Sequence, residues 1–185
     1  MKEGGITIIE IVVVVAIIGI LLSILITNFP AIQRQFALSR ATHKLAQDIR
    51  RAEALALSAS DEVINAQGYG IYIGKINPKQ YILYADLKNI DNNPSRVENQ
   101  YDDLDTIIDI IDLAKESPGV SVDSISSGSN PLSVNFTPPN PKVTISGPAN
   151  IERAWIALKL DNSIFSNNSN TRYVYVWKSG LVQTQ

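Results

Sequence analysis

Seven aspartates, Asp86, Asp91, Asp102, Asp103, Asp105, Asp109 and Asp112, crowd one stretch of this 185-residue chain. Carboxylate oxygens at that density can hold a hard cation such as Ca²⁺. Their spacing is not that of an EF-hand loop, so a solvated acidic loop without a metal is expected. Other chemistry-bearing residues are sparse. The chain has no Cys and one His, His43. That removes disulfides and thiolate metal sites, and no Ser-His-Asp or Cys-His set can be assembled. His43 reads as a helix-surface residue. The neighbours Arg50 and Arg51 can touch phosphate or lipid, but a solvated helix face with local ion pairs is the expectation. Gly68, Gly70 and Gly74 do not follow a dinucleotide or P-loop spacing and no helix follows them, so strand bends or close strand approach account for them better. The expectation is a protein that is not an enzyme and needs no cofactor. A net charge of −2 supplies no bulk attraction to nucleic acid.

The strongest chemical signal is a misplaced charge. Residues 6–26, ITIIEIVVVVAIIGILLSILI, are apolar except for Glu10 and a few small polar groups. As a helix rising about 1.5 Å per residue, that stretch matches the roughly 30 Å hydrocarbon thickness of a bilayer. A carboxylate at that depth costs roughly 2.5–3.5 kcal/mol, so it requires a cation. The run is too long for the apolar part of an ordinary secretory signal, and no A-x-A site follows it.

The stretch GGITIIEIVVVVAIIGIL resembles the prepilin signature of type IV pilins and type II secretion pseudopilins, usually G-F-T-L-I-E followed by an apolar run. The resemblance implies cleavage by a prepilin peptidase between Gly5 and Ile6 and N-methylation of Ile6. It also implies that Glu10 pairs with the N-terminal amine of a neighbouring subunit during assembly. Gly5, lacking a Cβ, lets a protease approach the backbone closely. Ile6 stands where Phe is usual, and the leader is short, with Glu3 offsetting Lys2. The resemblance implies as partners the prepilin peptidase, other pilins or pseudopilins, an inner-membrane assembly platform and membrane lipid. Nucleic acid is not expected. It further implies a single pass through the cytoplasmic (inner) membrane, with the head outside the cytoplasm and incorporated into a pilus or pseudopilus. In a bacterial protein of that kind the sequons at Asn135 and Asn167 carry little meaning.

The rest of the chain must position that helix. Ser23 and Thr27 can bond back to helix carbonyls, while Gly19 and Pro30 weaken the segment, and Pro30 should kink it or loosen the turn before it. Beyond Pro30, Leu38, Ala41, Leu45, Ile49, Ala52 and Ala56 recur at three- and four-residue spacing and form one apolar face. Arg34, Arg40, Lys44, Asp48, Arg50, Arg51 and Glu53 are assigned to the opposite face, with Asp48 pairing Lys44 and Arg51. A helix over residues 6–58 would reach roughly 80 Å. From Gly68 the period changes to two. GYGIYIG and YILYAD read as a hairpin through Asn77 and Pro78. Residues 87–118 read as an acidic insertion in which IIDIIDL is either strand or short helix. VSVDSIS, LSVNFTPP, KVTISG, AWIALKL and RYVYVWKSGLVQT read as further strands, the last a hairpin turning at Lys178, Ser179 and Gly180.

The expected fold is therefore α+β: a long N-terminal helix, transmembrane in its first half, packed on a mostly antiparallel β head. The divisions are a leader at 1–5, a transmembrane or filament-core helix at 6–29, its amphipathic continuation at 30–60 and the head at 61–185. The order of helix end, GYGIYI, YILYAD, the Tyr101–Asp102 pair and the closing strand with Gly180 is similar to GspH/FimT-like minor pseudopilins. The implied function is a minor pseudopilin, a structural subunit of a type II secretion or type IV pilus-like filament. The alternatives are a major pilin, or a DNA-binding minor pilin using Lys178, Arg172 and Arg153. A membrane-anchored enzyme is a third class, and it lacks a catalytic set.

Overall fold

The computed structural model describes residues 7–58, 63–74, 77–90, 93–94, 96–126, 131–139, 142–146, 151–161 and 170–185, with the side chains of residues 27 and 28 excepted. The fold is α+β. Among the described residues one long helix, α1 (Ile8–Leu57), leads into nine strands. These are β1 (Ala66–Ile73), β2 (Gln80–Leu87), β3 (Thr106–Asp112), β4 (Val120–Ile125), β5 (Leu132–Thr137), β6 (Lys142–Ile145), β7 (Arg153–Leu160), β8 (Thr171–Trp177) and β9 (Val182–Thr184). One short helical turn, α2 (Leu113–Glu116), follows β3. The chain divides into two compact units at residues 36 and 37.

The first unit holds the N-terminal part of α1. Helix runs unbroken through Gly19 and Pro30, and Ser23 Oγ donates to the Gly19 carbonyl at 3.0 Å. The weak positions in the sequence thus do not interrupt the helix.

In the second unit the rest of α1 is the centre of the core. All six residues of the apolar stripe, from Leu38 to Ala56, are buried. Two sheets close on that stripe. One has the order β3-β2-β1-β5-β6 and the other β4-β7-β8-β9. Every pairing in both is antiparallel. Alternation along the strands supplies the inner faces: Tyr69, Ile71 and Ile73 from β1, Tyr81, Leu83 and Ala85 from β2, and Ala154, Ile156 and Leu158 from β7 join the same cluster as the helix residues. The hairpin β8–β9 turns at Gly180, whose φ is +86° and which lies against Glu53 of α1. A side chain there would be strained by its backbone and crowded by Glu53.

Two expectations need correction. Asp48 is not on a solvated face; it is buried. Its carboxylate accepts from Lys44 Nζ at 2.7 and 2.8 Å and from the Tyr81 hydroxyl of β2 at 2.6 Å. Arg51 instead meets Asp109 of β3 at 3.4 Å. The helical period alone places Asp48 beside Lys44, but burial follows from a strand residue 33 positions away. Residues 87–118 are likewise not one excursion. IIDIIDL contributes β3, which pairs with β2 from Gln80↔Asp112 to Ala85↔Thr106.

Burial and the Asp48 carboxylate push the Tyr81 phenol well above its ordinary value, so it stays a donor. Tyr81→Phe should therefore cost about 1–3 kcal/mol by leaving a buried acceptor short of one partner. Urea denaturation of the full chain in mild detergent measures this. An unchanged midpoint would show that Lys44 alone satisfies Asp48.

Candidate functional site

Two places concentrate the residues singled out by sequence. The first is the start of α1. From Ile8 to Ile26 the helix has a mean hydropathy of 3.2 and none of it is buried within the chain. It is long and apolar enough to cross a membrane. Thr7 precedes the helix, and the Glu10 amide lies 3.4 Å from Thr7 Oγ1 and 3.1 Å from the Thr7 carbonyl. T-x-x-E is the spacing of a capping box. It was legible in the sequence, and it explains part of why an acid stands at position 10: the first turn carries unpaired amides and the positive end of the helix dipole. Capping occupies the Glu10 backbone, however, and no described residue bonds its carboxylate. Gly5 and Ile6 lie outside the described residues.

The second place is the outer face of the five-stranded sheet, and its logic starts from two glycines. Gly68 and Gly70 of β1 lie between β2 and β5, opposite Asp86 and Tyr84 on one side, with Gly70 opposite Asn135 on the other. With no side chain in the way, partners reach across β1. The Tyr84 hydroxyl meets Ser133 Oγ at 2.6 Å, and Asn135 Nδ2 donates to Asp86 Oδ2 at 2.7 Å. A Cβ on residue 70 would fall 2.5 Å from the Val134 carbonyl and 2.7 Å from the Tyr84 hydroxyl. Close approach, not phosphate binding, accounts for these glycines.

The acidic segment folds over that face. Asp86 is 1% exposed. It also accepts from Gln67 Nε2 at 3.1 Å and from the Asn99 amide at 2.7 Å. Asn99 adopts a left-handed φ of 63°, which Asn tolerates, and its Oδ1 accepts from Thr137. Asp105 accepts from the amides of Leu87 and Asp102, both at 3.0 Å, and Asp102 accepts from those of Val97 and Leu104. Tyr101 packs against Tyr72 and Tyr84, with ring centroids 4.4 and 5.2 Å away. The expectation of a solvated acidic loop is corrected here. These carboxylates act as acceptors that tie backbone amides down over the sheet. Asp109 pairs with Arg51, and Asp112 caps α2 through the Ala114 amide. Asp91 lies outside the described residues.

Among the described residues no group of three or more His, Asp or Glu side chains is placed to hold a metal. A cavity of about 480 Å³ opens beside Tyr72, Asn93, Tyr101, Asp102, Asp103 and Leu104. Burial first, then the Asp103 charge, raises both phenols that line it, so at neutral pH they are hydroxyl donors and not bases.

The basic residues are dispersed. His43 is exposed on α1, and Arg50 donates to the Val182 carbonyl at 3.0 Å. Of the cations named for nucleic acid, Arg172 sits opposite the core residue Leu158, with its Nε buried and unbonded. Arg153 lies over the rings of Tyr175 and Trp177. Asn135 is fully buried and Asn167 lies outside the described residues. No protein-family model matches the chain, and neither a curated protein nor a solved structure matches it.

Burial lifts the Asp86 carboxyl from 3.8 to about 6, against the opposing pull of its Gln67, Asn99 and Asn135 bonds. The folded state therefore holds this proton more tightly than the unfolded chain. Its charge weighs against folding at neutral pH, and that penalty is relieved as pH falls from above 6 towards 3.8. The stability of the wild type relative to Asp86→Asn should rise by roughly 2–3 kcal/mol over that interval. Urea denaturation of both chains at matched pH values checks it; a difference that is flat, or that shrinks on acidification, would contradict the assignment.

Proposed function

We propose that the chain is a pilin-like subunit of a membrane-anchored filament, of the minor pseudopilin type found in type II secretion or type IV pilus-like machines. The observation that carries this reading is the start of α1. An apolar helix segment with no cover inside its own chain contains a carboxylate with no partner among the described residues. Two such deficits are removed together when the segments of several subunits bundle and each Glu10 meets a neighbour's amine.

In this reading a prepilin peptidase cuts between Gly5 and Ile6, and the new α-amino group of Ile6, once methylated, remains a cation. An amine and a carboxylate brought together in a low-dielectric bundle attract far more strongly than in water. A stagger that leaves either one unpaired is penalised, so the pairing also sets helix register. The single span holds the chain in the inner membrane before assembly, with residues 37–185 outside the cytoplasm. Sibling pilins or pseudopilins and an assembly platform are the partners. Arg172 on the core side and Arg153 lying over rings do not favour the DNA-uptake alternative.

The reading makes two opposite demands on one residue. Glu10→Ala removes a carboxylate worth roughly 2.5–3.5 kcal/mol against insertion, so membrane retention should hold or improve. The same change should abolish recovery of the chain in the sheared or cross-linked filament fraction of its native cells. Fractionation followed by immunoblotting reads both. Wild-type incorporation of the Glu10→Ala chain would overturn the proposal.

A further inference from the structure

The five-stranded sheet is open on one side, at β3, and one bulge decides what that side presents. β3 ends the strand order β3-β2-β1-β5-β6, so among the described residues no strand pairs with it beyond β2. Its register shifts between Leu83, opposite Asp109, and Tyr84, opposite Ile107. The bulge therefore carries one extra residue on β3. In a regular strand, residues 107 and 110 would point to opposite faces of the sheet. Here Ile107 stands opposite Tyr84 and Ile110 opposite Ile82, so both lie on the outer face. Ile107 is 44% and Ile110 52% exposed, while Ile108 between them packs against the core.

The backbone of the same two residues is open. The Lys79 carbonyl accepts from the Leu113 amide at 2.8 Å, and the Leu87 amide donates to Asp105 Oδ1 at 3.0 Å. Both contacts lie on the β3 side of β2. Peptide groups alternate in direction along a strand, so Ile82 and Tyr84 turn theirs towards β1. Their opposite numbers, Ile110 and Ile107, turn their N–H and C=O groups to the open side. An edge that combines free peptide groups with exposed aliphatic side chains is a template for one more strand.

Charge selects that strand. Residues 98–116 hold seven acidic side chains against one lysine. Within β3, Asp109 is met by Arg51 and Asp112 by Lys115. Beyond its two ends, Asp103 and Glu116 are exposed, and neither forms a salt bridge among the described residues. A second copy of this edge would bring the same acids and be repelled. A segment with aliphatic residues at its centre and cations at its ends matches both the isoleucines and the acids.

We propose that the open edge of β3 takes up an extended, basic and aliphatic segment of a partner protein as an added strand. Its main chain bonds Ile107 and Ile110, its aliphatic side chains cover theirs, and its cations face Asp103 and Glu116. In strand addition the peptide groups supply affinity and the side chains supply selectivity. The site is independent of the filament reading.

The probe is a fluorescein-labelled, acetylated peptide, Lys-Thr-Val-Thr-Val-Thr-Lys, added to the full chain in nanodiscs of uncharged phosphatidylcholine. Fluorescence anisotropy should show saturable binding. Replacing both lysines by glutamate, or methylating the central backbone amides, should each weaken it about tenfold or more. Hydrogen exchange should slow at the Ile107 and Ile110 amides when the peptide is bound. Ile110→Lys changes an exposed side chain and should weaken binding by a similar factor, with the thermal transition of the variant measured alongside. Absence of saturable binding to the wild type would overturn the proposal. So would equal binding of the methylated peptide, unchanged exchange at Ile107 and Ile110, or unchanged affinity in a folded Ile110→Lys chain. Protection of these amides that grows with chain concentration in the absence of peptide would show a second copy on the edge, and would also overturn it.

Discussion

One helix carries two differently treated apolar stretches. Residues 8–26 of α1 present apolar side chains that are exposed among the described residues, while the stripe from Leu38 to Ala56 is buried. Glu10 lies in the first stretch and the buried Asp48 in the second, and the two are handled differently. Asp48 sits in the protein core and its compensation is internal: one ammonium and one phenol converge on it. Glu10 sits where no described residue bonds its carboxylate. In a membrane-spanning reading of residues 8–26, the cost of an unpaired charge in an apolar medium is the same problem in both places. Among the described residues only the Asp48 solution is present, and in the proposed reading a second polypeptide supplies the other.

The two sheets share a core and differ in what they do with their outer faces. The outer face of the five-stranded sheet is covered by its own chain over β1, β2 and β5, while Ile107 and Ile110 of β3 stay exposed. Gly68 and Gly70 open a path across β1, the Tyr84–Ser133 and Asn135–Asp86 bonds use it, and the segment around Asn99, Tyr101 and Asp105 closes over them. That cover is polar, so it holds only because nearly every acceptor meets an amide or hydroxyl. The four-stranded sheet keeps its aromatic residues half-open and its nearby charges offset. A covered polar face contributes to stability.

The patterns carried by local periodicity were readable from sequence alone. The helical stripe on α1, the hairpin from GYGIYIG to YILYAD and the closing hairpin at Gly180 follow from spacing and turn chemistry, and the structure has them. The ambiguity over IIDIIDL is resolved by pairing with β2, a contact that periodicity does not encode. Asp48 and Asp86 were misjudged as solvated for one reason. Their partners, Tyr81 in one case and Gln67 and Asn135 in the other, lie 19 to 49 positions away, and composition sees only a charged residue. The Thr7–Glu10 spacing was visible and carries a capping role that sits beside the membrane argument without replacing it.

In the proposed reading the Glu10 carboxylate is neutralised by an amine made through proteolysis. Intact-mass analysis of the chain extracted from its native membranes tests this most directly. The account predicts the mass of residues 6–185 carrying one added methyl group. A chain that still begins at Met1, found in assembled filaments as well as in the membrane pool, would contradict it.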